Sequence, residues 1–202
     1  MRTSYMELVI LNREEKKKAT RQNIINCAVE LFSQQGYAST TVNQITEHAG
    51  VAKGTFFNYF ESKEEVLCDF QLVLVTEELS KLRHHPGPII PLVREFLMEM
   101  VRRLPGDRSL ILALFQSTLT HQKLLELEKT KNDSFKQILA DIITAAQARG
   151  EISPAMPAEI IVDLAVQTYD GVLLYWGKGL GDEKLANQMA FTFELFFKGI
   201  SA

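Results

Sequence analysis

Helical periodicity runs through almost the whole chain and restricts it to an all-α fold. The clearest example is Ile24, Cys27, Ala28, Leu31 and Phe32, whose spacing places all five side chains on one face of a helix. No segment shows the sustained alternation of apolar and polar residues that half-buried strands require. The sequence therefore predicts an all-α protein of about nine to ten helices.

Glycines, prolines and capping residues divide this pattern into segments. Gly36 ends the first strong helix, where a left-handed residue is favoured. The runs Thr41-Val42-Asn43-Gln44 and Ser62-Lys63-Glu64-Glu65 each have the form of a capping box that opens a helix, and Gly50 breaks the first of these helices. Residues 84–88, rich in histidine and proline, form the clearest break. Later helices are predicted over residues 90–104, 108–118, 122–149, 157–176 and 182–197.

We predict two domains, an N-terminal one over residues 1–64 and a C-terminal one over residues 65–202, with residues 1–18 as an N-terminal extension. Residues 1–60 hold seven Lys or Arg and five Glu, a net charge of +2, whereas the remainder holds 15 basic and 20 acidic residues, a net charge of −5. This asymmetry fits an N-terminal unit that faces phosphate. The basic run Lys16-Lys17-Lys18 is either an arm on DNA or the solvated start of the first helix.

The most informative stretch is VAKGTFFNYF, residues 51–60, which places four aromatic side chains among five residues. A helix, a turn with Gly50 and a second short helix make a helix-turn-helix, whose second helix packs one face on the protein and places another in the DNA major groove. Phe56 and Phe60 are four residues apart and share the inner face with Val51. The side chains left for the outer faces are Lys53, Thr55, Phe57, Asn58 and Tyr59.

These outer side chains suit contacts with bases and phosphates. Lys53 can meet guanine or phosphate, Thr55 offers a hydroxyl and a methyl group, and Asn58 matches adenine edges or phosphate. Gly54 has no side chain, so the backbone can approach the duplex closely.

Residues 19–70 resemble the DNA-binding signature of the TetR family of transcriptional regulators. The resemblance is carried by Thr40-Thr41-Val42, Ile45, Ala49-Gly50-Val51, Lys53-Gly54-Thr55, Phe57, Tyr59-Phe60 and Ser62-Lys63-Glu64-Glu65. It implies a three-helix helix-turn-helix domain followed by a helical domain that binds an effector and dimerises. The DNA contacts that it implies come from Thr41, Asn43, Lys53, Gly54, Thr55, Phe57, Asn58, Tyr59 and Lys63.

The resemblance also implies individual roles and reveals two departures from the family pattern. Thr41 would cap its helix and bond a phosphate, and Lys63 would clamp phosphate at the start of the next helix. Ala52 stands where the family usually has a small polar residue, which leaves the reading helix without a side-chain N-cap. Phe57 stands where tyrosine is usual, which favours apolar contact with a thymine methyl or a sugar over a phosphate contact.

For the C-terminal domain, the resemblance implies a homodimer formed through the last two long helices and a pocket for a small-molecule effector. Polar or aromatic residues within apolar stripes are the pocket candidates, and their weak polarity favours a largely apolar or aromatic ligand. The stretch from Tyr169 to Trp176 is favoured, because small Gly171 leaves room. The full candidate set is Phe115, Thr118, His121, Gln167, Tyr169, Asp170, Tyr175 and Trp176.

The sequence is thus most consistent with a repressor that binds a pseudo-palindromic operator as a homodimer and is released by a ligand. A DNA-binding regulator without an effector and, less consistent with the motifs, a helical enzyme are the alternatives. No catalytic, metal-binding or cofactor-binding pattern is present. Without an export signal or a run of roughly 18–20 apolar residues, we expect a cytoplasmic protein with no membrane partner.

Overall fold

The computed structural model describes residues 5–83, 87–104, 107–181 and 184–202. These residues form nine helices and no extended strand, although Ile152 and Ser201 make one isolated antiparallel bridge. The all-α prediction is therefore confirmed. The helices are α1 (Tyr5–Gln35), α2 (Val42–His48), α3 (Lys53–Phe57), α4 (Lys63–Arg83), α5 (Ile89–Arg103), α6 (Arg108–Thr120), α7 (Gln122–Ala148), α8 (Ala158–Gly177) and α9 (Leu185–Ile200).

The chain divides into two compact units inside α4, the first ending at Phe70 and the second beginning at Gln71. The domain boundary predicted at residue 64 lies six residues earlier, in the first turn of α4. The predicted break over 84–88 and the predicted start of the last helix at 182 fall partly outside the described residues, since 84–86 and 182 are not among them.

The first unit is built around an apolar core from α1, α2, α3 and the residues that follow α3. Ile24, Ala28, Ile45 and Phe56 are fully buried there, and the ring of Phe60 lies 5.7 Å from that of Phe56. Truncating one buried phenylalanine typically costs about 3–5 kcal/mol. The core therefore holds α3 firmly against the two preceding helices.

Glycine and a capping threonine shape the turns of this unit. Gly36, with φ 84°, and Gly50, with φ 65°, adopt the left-handed conformation after α1 and α2. Thr41 forms the predicted capping box, because its hydroxyl accepts from the Gln44 amide and the Gln44 side chain accepts from the Thr41 amide at 2.8 Å. α2 thus begins and ends where the sequence predicts.

The second predicted capping box forms only in part. The Ser62 hydroxyl accepts from the Glu65 amide at 3.3 Å, as a capping residue does. The Glu65 carboxylate, however, accepts from the Glu61 amide at 2.6 Å rather than from that of Ser62. The carboxylate reaches one residue further back, and α4 still begins at Lys63.

In the second unit, α8 packs against α6, α7 and α9, and α5 packs against α7 and α9. Ile89 of α5, Ile143 of α7 and Ile161 of α8 meet in one buried cluster. The Ser153 amide donates to the Ile200 carbonyl at 2.8 Å, which joins the segment before α8 to the end of α9. None of the described helices is long and apolar enough to cross a bilayer.

Candidate nucleic-acid interface

Hydrogen bonds hold the turn between α2 and α3. The Ala49 amide donates to the Ile45 carbonyl at 2.9 Å, and the Val51 amide donates to the Thr46 carbonyl at 3.0 Å. From α1, the Asn23 side chain donates to the Ala49 carbonyl at 2.9 Å. These bonds set the direction in which α3 leaves the turn. The role of Asn23 was not predicted, because its acceptor is a backbone carbonyl 26 residues away.

α3 is shorter than the stretch from which it was predicted, since it spans only Lys53–Phe57. Ala52 is its N-cap and makes no side-chain hydrogen bond, as an alanine must. Asn58 follows as the C-cap with helical backbone angles, and its amide donates to the Gly54 carbonyl at 3.2 Å. The buried Phe60 therefore lies beyond the helix end, and its packing anchors the segment that leads to α4.

The aromatic side chains of α3 point to opposite environments. Phe56 is fully buried, whereas the neighbouring ring of Phe57, edge-on to it at 5.4 Å, is 49% exposed. The other predicted contact residues also remain largely accessible. Thr41, Asn43, Lys53, Gly54 and Asn58 are exposed, while Thr55 and Tyr59 are half-buried.

Lys63 makes contacts that the family resemblance did not imply. Its ammonium group donates to the carbonyls of Tyr37 at 2.8 Å and Thr40 at 2.9 Å, and it lies 4.1 Å from the centre of the Tyr37 ring. Burial lowers the pKa of Lys63. Because an ammonium group has three donors, at most one N–H is left for a phosphate. The phosphate contact stays a prediction, and the observed contacts brace α4 against the turn before α2.

A second contact joins α1 to α4 within the same unit. The Arg21 guanidinium pairs with the buried carboxylate of Asp69 and lies 5.1 Å from the centre of the Phe60 ring. The Arg21 side chain is therefore bound within the protein, by the Asp69 carboxylate and the Phe60 ring. The basic run of residues 16–18 lies on the same helix with exposed side chains.

Comparisons with known proteins agree with this helix-turn-helix geometry. The chain is 26% identical over 190 residues to the HTH-type transcriptional regulator UidR of Escherichia coli K12, covering 90% of the chain and 91% of that protein. Residues 24–68 match the family model of bacterial regulatory proteins, tetR family. Residues 24–68 thus carry the DNA-binding helix-turn-helix of the tetR family, and the relatives that match most of the chain are transcriptional regulators. The fold of the tetR family implies operator binding and dimerisation, and UidR is a regulator rather than an enzyme.

Two further comparisons cover most of the length of the chain. It is 28% identical over 171 residues to the fatty acid metabolism regulator protein of Bacillus subtilis, covering 80% of the chain and 86% of that protein. The Thermus thermophilus FadR repressor, solved in complex with lauroyl-CoA, superposes with a TM-score of 0.66 at 22% identity, covering 89% and 94% of the two chains. The structural match supports the fold of both units.

The predicted effector-binding residues on α8 lie on two different faces of that helix. Tyr169 and Trp176 lie on the inner face of α8, where Trp176 is buried. Gln167 and Tyr175 lie exposed on the outer face, together with Gly171. Successive helix residues are about 100° apart, so the stretch from Tyr169 to Trp176 spans both faces rather than lining one pocket.

The remaining predicted effector residues are spread over α6, α7 and α8. The Thr118 hydroxyl donates to the Phe115 carbonyl at 3.1 Å, within α6. His121 is exposed between α6 and α7, and one of its ring nitrogens lies 3.1 Å from the Ser117 carbonyl. Asp170 is half-buried on the side of α8 that faces α7. None of these contacts favours one ligand position over another.

A cavity lies elsewhere in the second unit, between α5, α7, α8 and α9. Its volume is about 40 Å³, and Val93, Ile143, Ala165 and Phe193 contribute to its lining, in which all the described side chains are apolar. None of the predicted effector residues lines it. The sequence did not distinguish these apolar residues from ordinary core positions, because a gap between four helices depends on how they pack.

An apolar stripe also lies exposed on the last two helices. Ile160, Leu164 and Tyr175 are spaced along one side of α8, and Phe191 and Leu195 are spaced along α9. Phe191 is 71% exposed. Large side chains so open to water at helical spacing are typical of a protein–protein interface.

Proposed function

We propose that this protein is a homodimeric TetR-family repressor that binds a pseudo-palindromic operator and releases it when an effector binds. Each subunit places α3 in a major groove, and the two α3 helices occupy successive grooves on one side of the duplex. As a protein that acts on DNA, it works in the cytoplasm. A regulator without a small-molecule effector is the second candidate.

The observation that carries this proposal is that α3 buries the side chains on one of its faces and exposes those on the other. Phe56 is buried in the core of the first unit, while Lys53 and Asn58 are exposed and Phe57 is half open to water. An exposed phenylalanine beside polar side chains on a helix held by a buried core is suited to contact with bases in a groove. A Cβ at Gly54 would meet nothing within 4 Å, so close approach to DNA, rather than packing inside the protein, accounts for a glycine there.

The side chains of α3, of its C-cap Asn58 and of the start of α2 suit different parts of DNA recognition. Lys53 supplies charge for phosphate or a guanine edge, and Asn58 suits an adenine edge or phosphate. Phe57 has no hydroxyl to bond phosphate, so its open ring is suited to thymine methyl groups or sugars. Thr55 is half-buried, and its outward atoms are suited to contact base edges. Thr41 and Asn43, both exposed at the start of α2, suit the flanking phosphates.

Dimerisation through α8 and α9 is supported by the exposed stripe of Ile160, Leu164, Tyr175, Phe191 and Leu195. Two copies related by a two-fold axis would cover this stripe with itself and form a four-helix bundle. The same symmetry matches a pseudo-palindromic operator, because each half-site then meets an identical reading helix.

The proposal of an apolar effector draws on the relatives and on the apolar interior of the second unit. The relatives include a fatty acid metabolism regulator, and the related FadR structures hold lauroyl-CoA and stearoyl-CoA. A ligand that binds better to the conformer unable to bind DNA shifts the population toward it. Repression is supported by the related Thermus thermophilus protein, which is described as a repressor.

Binding to double-stranded DNA from upstream of the chain's own gene tests the proposal. We expect salt-sensitive binding of one dimer to a footprint with two half-sites. Lys53→Ala should weaken binding to all sequences and reduce the slope of log affinity against log salt by roughly one, whereas Thr55→Ala should relax discrimination between operator variants. Lys129→Ala, an exposed lysine on α7, is the matched control and should change neither property. Absence of salt-sensitive binding to any duplex would contradict the proposal.

A further inference from the structure

The face of α8 that lines the cavity of the second unit also carries the buried hydroxyl group of Tyr169. Val162 and Ala165 line the cavity. Tyr169 follows them by seven and four residues and therefore lies on the same face of the helix. Its hydroxyl oxygen is buried and makes no hydrogen bond within the part of the chain that the structure describes. Buried hydroxyl groups in proteins are nearly always hydrogen-bonded, so this one calls for an explanation.

The chemistry of the Tyr169 hydroxyl restricts what could satisfy it. Burial, and to a smaller extent the neighbouring Asp170 carboxylate, raise the pKa of Tyr169, so the phenol remains protonated and can both donate and accept a hydrogen bond. The cavity, whose lining includes Ala165 one helical turn before Tyr169, is lined by aliphatic and phenyl side chains. A ligand that suits both features has a hydrocarbon body and one small hydrogen-bonding group.

We propose that the cavity between α5, α7, α8 and α9 is the effector site, and that Tyr169 anchors the single polar group of a mainly hydrocarbon ligand. This inference rests on the proposed function, because it locates and describes the effector assumed there. It differs from the sequence-based expectation in that Gln167, Tyr175 and His121 take no part.

The size of the cavity suggests how binding would be transmitted. At about 40 Å³ it has room for only a few water molecules, so a hydrocarbon chain must push the surrounding helices apart. α8 and α9 line the cavity and also carry the exposed apolar stripe. A ligand that displaces them would alter the dimer contact, and by linkage the dimer affinity and the ligand affinity must change each other.

Binding of 1-octanol to the full-length protein tests the site, with n-octane as the matched probe that lacks a hydroxyl group. Trp176, the only tryptophan of the chain, lies on the same face of α8 and reports binding by its fluorescence. Tyr169→Phe should weaken 1-octanol binding by roughly two- to tenfold and leave n-octane binding unchanged, because only the hydroxyl group is removed. It should also raise the melting temperature of the ligand-free protein.

A second variant tests the cavity independently of Tyr169. Ala165→Leu fills the space and should abolish binding of both probes, whereas Ala145→Leu, at an exposed position on α7, should not. If Ala165→Leu fails to fold, the Tyr169→Phe comparison decides. Unchanged 1-octanol affinity in Tyr169→Phe, or no probe binding by a wild-type protein that still binds its operator, would overturn the site. Absence of operator binding by the wild-type protein would instead contradict the proposed function.

Discussion

Lys63 lies at the start of α4, where the resemblance to the family implies a phosphate clamp, yet its ammonium group bonds two backbone carbonyls of its own unit. The carbonyls belong to Tyr37 and Thr40, in the turn that leads into Thr41 and α2. The hydroxyl of Tyr37 in turn donates to the Glu64 carboxylate. The lysine therefore positions the turn before α2, and through it the predicted contact residue Thr41.

Substitution of Lys63 separates the bracing role from the phosphate role. Lys63→Met keeps the length of the side chain but leaves two partly buried carbonyls without their donor, which should lower the free energy of unfolding by about 1–3 kcal/mol. Lys53→Met, at an exposed position, should leave that free energy nearly unchanged and weaken DNA binding. Urea unfolding and salt-dependent DNA titration measure the two effects. If Lys63→Met unfolds with unchanged free energy and the slope of log affinity against log salt falls by about one, Lys63 contacts phosphate rather than bracing the turn.

Between α7 and α8, charged groups meet along an otherwise apolar contact. Lys136 of α7 pairs with Asp163 of α8 at 2.7 Å. Two turns further along α8, burial and the carboxylate of Glu128 on α7 raise the pKa of Asp170 to about 6, and Lys136 only partly opposes this shift. The helix pair thus holds one carboxyl group whose charged form is disfavoured in the folded state.

The raised pKa of Asp170 predicts that Asp170→Asn increases the free energy of unfolding in a pH-dependent way. The pKa of Asp170 is higher in the folded state than the ordinary value of 3.8. The protonated carboxyl group therefore stabilises the folded state fully below pH 3.8, and this stabilisation is lost as the pH rises through about 6. We expect the variant to exceed the parent by about 2 kcal/mol in free energy of unfolding near pH 7.5, and the difference to shrink toward pH 4. Urea unfolding across this range measures it. A difference independent of pH would show that the carboxyl group is not perturbed.

Taken as a whole, the molecule leaves a set of large apolar side chains exposed on α8 and α9. A two-fold partner would bury each of these side chains in both subunits, so one substitution acts twice on the dimer. The proposed geometry therefore makes dimer formation and operator binding depend on the same stripe.

Phe191→Glu tests this dependence. A charge at the centre of the stripe should weaken dimerisation by about a hundredfold or more, as loss of a buried anchor does, and operator affinity should fall with it. Leu119→Glu, on α6 at a position 81% exposed and outside the stripe, is the matched control. Sedimentation analysis gives the oligomeric state. A Phe191→Glu protein that remains a tight dimer would place the interface elsewhere.

The helices and the first unit could be read from local sequence, because their signals are short in range. The helical spacing from Ile24 to Phe32 and the glycine at position 36 each act within a turn or two of helix. The capping box at Thr41 and the pairing of Phe56 with Phe60 on the core side act over similar distances. For the same reason the outward residues of α3 could be named before the structure was known.

The contacts of Lys63 and Asn23, the cavity and the unpaired hydroxyl of Tyr169 could not be read in this way. Each depends on groups that are distant in the chain, such as the Ala49 carbonyl beside Asn23 or the four helices around the cavity. Whether a lysine meets a phosphate or a carbonyl, and whether an apolar side chain fills its space or leaves a gap, is decided by packing among distant segments. Local sequence pattern therefore specified the helices and the helix-turn-helix, and long-range packing specified which side chains remained free to bind a ligand or DNA.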